Sequence, residues 1–197
     1  MGRKNATRLL KLYEGLQAGF GPQNWWPADS RFEVIVGAIL TQNTNWKNAE
    51  KAIANLKAAK KLDAHSLLKT PDRKLETLIR PSGFFRQKTE RLKSISLAFL
   101  VFENRGFAPS RDELLEIKGV GKETADSILL YAYHQPHFVI DAYTRRFCSY
   151  YSLLESKEYD DYKKYFESSL PPDIALFKEY HALIVEWGKI NKRSFSN

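Results

Sequence analysis

Leu114-Leu115-Glu116-Ile117-Lys118-Gly119-Val120-Gly121-Lys122-Glu123-Thr124-Ala125 is the most specific signal in the chain. Two helical patterns meet at Gly119-Val120-Gly121. Leu114, Leu115 and Ile117 precede the glycines, and Thr124, Ala125, Ile128 and Leu129 follow them at helical spacing. Glycine permits φ > 0 and close approach of another backbone. Amides exposed at the start of the second helix, with its dipole, suit a phosphate. Lys118 and Lys122 add positive charge, and Val120 is placed to point inward and pin the two helices. A plain helix–turn–helix connection, with glycines kept for steric reasons, is the alternative.

Outward from this hairpin the period is helical nearly throughout. Helices are predicted near 4–17, 30–41, 46–57, 63–69, 71–78, 84–104, 110–116, 122–133, 141–150, 158–168 and 173–187. Ser110 with Glu113 makes an S-x-x-E capping box. Thr70-Pro71 places proline in a first helical turn. No segment sustains period-two alternation, and Phe138-Val139-Ile140 reads as an extended connection rather than a strand. The fold class expected is all-α, in two interlocked helical lobes. One lobe is 25–133, ending in the hairpin. The other joins 1–24 to 134–197.

The chain has 197 residues, with 31 Lys+Arg against 23 Asp+Glu, for a net charge of +8. That excess points to a polyanionic partner, with nucleic acid first and an anionic membrane second. No apolar run approaches the roughly 20 residues that cross a bilayer, and the basic N-terminus lacks the apolar core of a signal peptide. No membrane association is therefore expected. The expected location is intracellular, in the cytoplasm or nucleoid of a prokaryote. Cys148 is the one cysteine, which excludes an internal disulfide or a four-cysteine metal site. Four histidines occur without zinc-ligand spacing, so no metal site is predicted.

The hairpin string resembles the helix–hairpin–helix of the endonuclease III superfamily of DNA glycosylases. Three further motifs occur in that family's order. Leu40-Thr41-Gln42-Asn43-Thr44 is similar to its loop after the core helix. Pro81-Ser82-Gly83-Phe84-Phe85-Arg86-Gln87-Lys88 is similar to its Gly-aromatic-x-x-Lys turn. Phe138-Val139-Ile140-Asp141 is similar to the apolar stretch and aspartate that open its next helix. The resemblance covers roughly 25–189. It implies damaged double-stranded DNA as partner, a base-binding cleft between the lobes, and a monomer. Lys118, Gly119, Val120, Gly121, Lys122 and Thr124 are then the DNA-binding set, and a backbone-bound monovalent cation at the hairpin stays open.

Asp141 is the catalytic candidate. An aspartate at a helix N-cap accepts backbone N–H bonds at the positive end of the dipole, and both effects favour its ionised form. By the resemblance this carboxylate stabilises an oxocarbenium-like sugar and positions water. An ordinary cap is the plainer reading. Members that cleave the strand carry a nucleophilic lysine two residues after the second hairpin glycine. Here that position is Glu123, which cannot form a Schiff base, and Lys122 lies about 100° around the helix from it. The resemblance therefore implies a monofunctional glycosylase. Cluster-bearing members carry four C-terminal cysteines, so no iron–sulfur cluster and no other cofactor is expected.

This combination is similar to the 3-methyladenine DNA glycosylase III branch. That likeness implies Gln42 as the wedge filling the gap left by a flipped nucleotide. It implies Trp25, Trp26, Pro27 and Trp46 as the stacking surface for the base, with Glu123 and Lys189 beside the pocket. A cationic base such as 3-methyladenine is attracted to a π-face. The alternatives are a helix-end cap for Gln42, core packing for a tryptophan, and solvent exposure for Glu123 and Lys189. A cationic Lys189 beside a cationic base would have to be neutralised or moved. Arg86, Lys88, Arg91, Lys93, Arg145 and Arg146 are candidates for tracking phosphates. His181, on the apolar pattern of 180–184, reads as a core residue with no role. Two rivals remain: a glycosylase of other base specificity, and a non-catalytic helix–hairpin–helix DNA-binding protein.

Overall fold

The computed structural model describes residues 2–191; Met1 and residues 192–197 of the expected terminal lobe lie outside the described residues. Among the described residues there are eleven α-helices and no strand. They are α1 (Gly2–Phe20), α2 (Arg31–Leu40), α3 (Trp46–Ala58), α4 (Ala64–Lys69), α5 (Asp72–Ile79), α6 (Phe85–Arg105), α7 (Arg111–Leu115), α8 (Lys122–Ser127), α9 (Ala142–Tyr150), α10 (Tyr159–Ser169) and α11 (Ile174–Ile190). A 3-10 turn, Arg80–Ser82, follows α5, and a π-helical stretch, Ile128–Ala132, continues α8. Each predicted helix is present. The one expected over 122–133 changes its hydrogen bonding to π at Ile128. Pro71 sits at the N-cap of α5 rather than inside its first turn. No helix among the described residues is long and apolar enough to cross a membrane.

The chain divides into two compact units: Ala28–Tyr133, and Met1–Pro27 together with His134–Asn197. In the first, α2 is buried at every position from Phe32 to Leu40. A helix apolar on nearly every side belongs in a core, and α3, α6, α8 and the π-stretch pack around it, with buried Glu33 paired to Lys57 at 2.7 Å. Each fully buried Leu or Ile contributes about 1.5–3 kcal/mol. The other unit packs α1 against α10 and α11, and α9 against α11. Its centre is aromatic. Phe138 stacks on Phe166 at 4.1 Å, and the Tyr180 hydroxyl donates to the Leu9 carbonyl at 2.9 Å. Trp187 is buried against Phe147, Tyr150 and Tyr151. Phe138, Val139 and Ile140 are buried as an extended connection entering α9.

Local chemistry sets the helix starts. Ser30, Asn45, Asp63, Asp141 and Asp173 each accept from a backbone N–H three residues on. The Ser110–Glu113 capping box forms at α7 with both of its reciprocal bonds.

Candidate active site and nucleic-acid interface

The hairpin is a tight turn between α7 and α8. The Val120 amide donates to the Ile117 carbonyl at 2.9 Å, and the Val120 side chain is buried. Gly119 has φ +88, and a Cβ there would lie 2.4 Å from Arg91 Cγ. Glycine is thus required twice, for its backbone angle and for the close approach of α6. Arg111 on α7 reaches Asp126 on α8 through two bonds, Nε to Oδ1 at 2.9 Å and Nη2 to Oδ2 at 3.2 Å. Asp126 is fully buried, so this pair ties the two arms together. Lys118, Lys122 and Glu123 are exposed around the turn. Lys118 lies 3.3 Å from Glu90, an exposed pair that contributes little to stability.

The Gln42 loop and Arg91 of α6, both distant in sequence, meet at this hairpin. Gln42 donates from Nε2 to the Gly119 carbonyl at 3.0 Å and to Thr124 Oγ1 at 2.9 Å. Its Oε1 accepts from Arg91 Nη1 at 2.6 Å. A Gln42 that enters a DNA stack must exchange these three bonds. Trp46, the first residue of α3, is half-buried.

Lys88 departs from the surface role expected of it. It is 1% exposed, and its ammonium donates to the Leu40 carbonyl at 2.8 Å and to the Ser82 carbonyl at 2.7 Å. It therefore tracks no phosphate. It caps the C-terminal end of α2, where a carbonyl has no partner within the helix. Burial, with the nearby Arg91 charge, pushes its pKa down to about 8. Lys88→Met is expected to lower stability by about 3 kcal/mol, because two buried carbonyls lose their donor. A urea midpoint within error of wild type would refute this assignment.

In the other unit Asp141 caps α9. Its Oδ1 accepts from the Thr144 amide at 2.7 Å and from the Thr144 hydroxyl at 2.9 Å. His181 Nε2, on α11, lies 3.4 Å from Asp141 Oδ2. Burial would push this carboxyl up. The His181 contact and charge, with the Thr144 bonds, outweigh it and hold its pKa below the usual carboxylate value. The side chain is still 16% exposed, so it remains reachable from solvent. Gly188 lets α11 pass close to α9, since a Cβ there would lie 2.3 Å from Tyr143 Cδ1.

Trp25 and Trp26 are half-buried, with ring centroids 5.3 Å apart and planes tilted by 45°. Pro27 beside them is exposed. The segment leading to them is held by Glu179 of α11, which accepts from the Gln23 amide at 2.6 Å and the Asn24 amide at 3.4 Å. Lys189 is exposed and ion-paired with Glu186 one turn earlier. That carboxylate partly neutralises it. The sequence reading gave His181 no role and did not single out Glu179, whose contacts reach 40 and 156 positions along the chain. The Glu186–Lys189 spacing is a local signal that was available. Among the candidate phosphate contacts, Arg146 donates to the Gly188 carbonyl and Lys93 pairs with Asp72.

The family model of HhH-GPD superfamily base excision DNA repair proteins matches residues 36–172. A Methanocaldococcus jannaschii protein provisionally named a DNA repair glycosylase is 50% identical over 190 residues, covering 90% of this chain and 86% of that protein. Endonuclease III of Thermotoga maritima is 30% identical over 169 residues, covering 85% and 77%. Among solved structures, Helicobacter pylori 3-methyladenine DNA glycosylase bound to 1,N6-ethenoadenine is similar with a TM-score of 0.82 and 30% identity, covering 96% of this chain and 99% of that one. A non-covalent endonuclease III–DNA complex shares the fold with a TM-score of 0.81 at 20% identity.

Proposed function

This chain belongs to the HhH-GPD superfamily of base excision DNA repair proteins, and from that premise we propose that it is a monofunctional DNA glycosylase excising alkylated purines, 3-methyladenine first. Asp141 carries the reading. Its carboxyl is held ionised at a helix N-cap while remaining partly open to solvent. As the N-glycosidic bond breaks, the bonding electrons leave with the base and positive charge grows on the sugar. The carboxylate stabilises that charge and accepts a proton from the water adding to C1′. A cationic alkylpurine departs as a neutral base, so little further protonation is needed. Trp25 and Trp26 offer π-faces suited to such a cation, and Trp46 is a further candidate. Lys189, paired with Glu186, is a smaller obstacle to a cationic base than a bare ammonium.

The hairpin supplies the phosphate contacts in this proposal, with the Gly119–Gly121 backbone flanked by Lys118 and Lys122. Binding is then salt-dependent. Likeness to the H. pylori enzyme supports the alkylpurine class. The 30% identity to a T. maritima endonuclease III supports the rival reading, a glycosylase of other specificity with strand cleavage. Glu123 at the position of the nucleophilic lysine favours hydrolysis alone, and one cysteine supplies no iron–sulfur cluster.

The test incubates the protein separately with methylated, oxidised and mismatched duplex DNA and identifies the released bases. The expected product is free 3-methyladenine, and borohydride is expected to trap no covalent protein–DNA adduct. An adduct overturns the monofunctional assignment. Release of oxidised or mismatched bases but no alkylpurine selects the rival, and no release from any damaged duplex overturns catalysis.

A further inference from the structure

We infer that His181 is a positioning residue for Asp141, holding the second oxygen of the carboxylate while Thr144 holds the first. The inference rests on the glycosylase reading for its catalytic consequence, though not for its geometry. Thr144 supplies two donors, both to Oδ1. Oδ2 is left facing α11, where His181 Nε2 stands at 3.4 Å. That is ion-pair distance, longer than a well-made N–H···O bond of about 2.9 Å. Catalytic contacts are often long before substrate binds and tighten in the complex. His181 is 7% exposed on α11, so its ring is largely enclosed by the unit that holds Asp141.

The placement has a chemical logic. A carboxylate held only through Oδ1 can rotate about its Cβ–Cγ bond, and burial favours its protonated form. A donor on Oδ2 opposes both. Once cationic charge develops on the sugar, an ionised, oriented carboxylate is what the site must present. Other polar groups of the adjoining elements have partners of their own. From α9, Arg145 lies over Tyr162 and donates to the Lys157 carbonyl, and Arg146 lies over Tyr143 and donates to the Gly188 carbonyl. From α10, the Tyr159 hydroxyl accepts from the Ile140 amide. His181 is the α11 group in contact with Asp141, and that contact acts on the carboxyl in the same direction as the Thr144 bonds.

The experiment compares wild type with His181→Phe, His181→Asn and His181→Gln. Phenylalanine removes the donor, asparagine is too short to reach, and glutamine can place an N–H near the Nε2 position. The first readout needs no activity: carbon-13 NMR titration of the aspartate side-chain carboxyls in the free protein. The Asp141 resonance is assigned by its loss in Asp141→Asn. In His181→Phe its midpoint is expected to move to higher pH. The second readout is the pH profile of single-turnover base release. Its acid limb is expected to move the same way, with the plateau rate falling about tenfold. His181→Gln should restore both in large part.

If His181→Phe does not fold, His181→Asn carries the same comparison. A midpoint and acid limb unchanged from wild type in a folded variant would overturn the inference. Absence of base release in wild type would instead defeat the glycosylase reading, while the NMR titration still decides whether His181 acts on Asp141.

Discussion

Asp141→Asn is expected to slow base release about 100- to 1,000-fold while leaving DNA affinity within a few-fold of wild type. Asparagine keeps the oxygen that caps α9, so the Thr144 bonds survive and the helix start is preserved. On the proposed mechanism, what disappears is the charge opposite the developing sugar cation. Single-turnover release from methylated duplex, an equilibrium titration with the same DNA, and a thermal melt separate the three quantities. Retention of more than about a tenth of the wild-type rate would show that another group carries the charge stabilisation. The carboxyl has a folded pKa below its unfolded value, so its contribution to stability is present above the usual carboxylate range, near 3.9. That contribution is lost as pH falls through the lower folded value. The asparagine variant should lack this part of the acid-induced loss.

Arg111→Met is expected to destabilise the protein by about 3–5 kcal/mol, the largest stability effect of the substitutions considered. Methionine keeps much of the aliphatic stem, so packing is a small part of the loss. Fully buried Asp126 loses its bidentate cation. The same bonds join α7 to α8, so the hairpin should open and DNA affinity should fall with stability. Urea unfolding followed by far-ultraviolet circular dichroism measures the first effect. The double variant Arg111→Met with Asp126→Leu should recover much of the loss, because the buried negative charge that Arg111 balanced is then removed as well. A single variant within about 0.5 kcal/mol of wild type would show that the pair does not hold the arms.

The fold was legible because its signals are local. Ser110 with Glu113, and Asp141 with Thr144, act over three residues, which is the reach of a helix cap. The apolar rows of α2 and α11 repeat at the helical period and bury accordingly. The change from α to π bonding at Ile128 was not legible, since the apolar spacing on either side is the same. Lys88 shows why burial of polar groups is harder to read. Its neighbours Arg86 and Gln87 suggest a surface turn, and only the Leu40 and Ser82 carbonyls explain a fully buried ammonium.

The all-α class, the hairpin and the aspartate at a helix start were all legible in the chain itself. Each depends on residue type at fixed short spacing. Tertiary structure alone decided which partners those groups have. It brought His181 to Asp141 from 40 positions away, tied the Gln42 amide to the hairpin, and set Glu179 on the Gln23 and Asn24 amides. Helical periodicity assigns a residue to a face but not to a partner. Which faces meet is a property of the packed core, and a histidine on an apolar face looks the same in sequence whether it touches a leucine or a carboxylate.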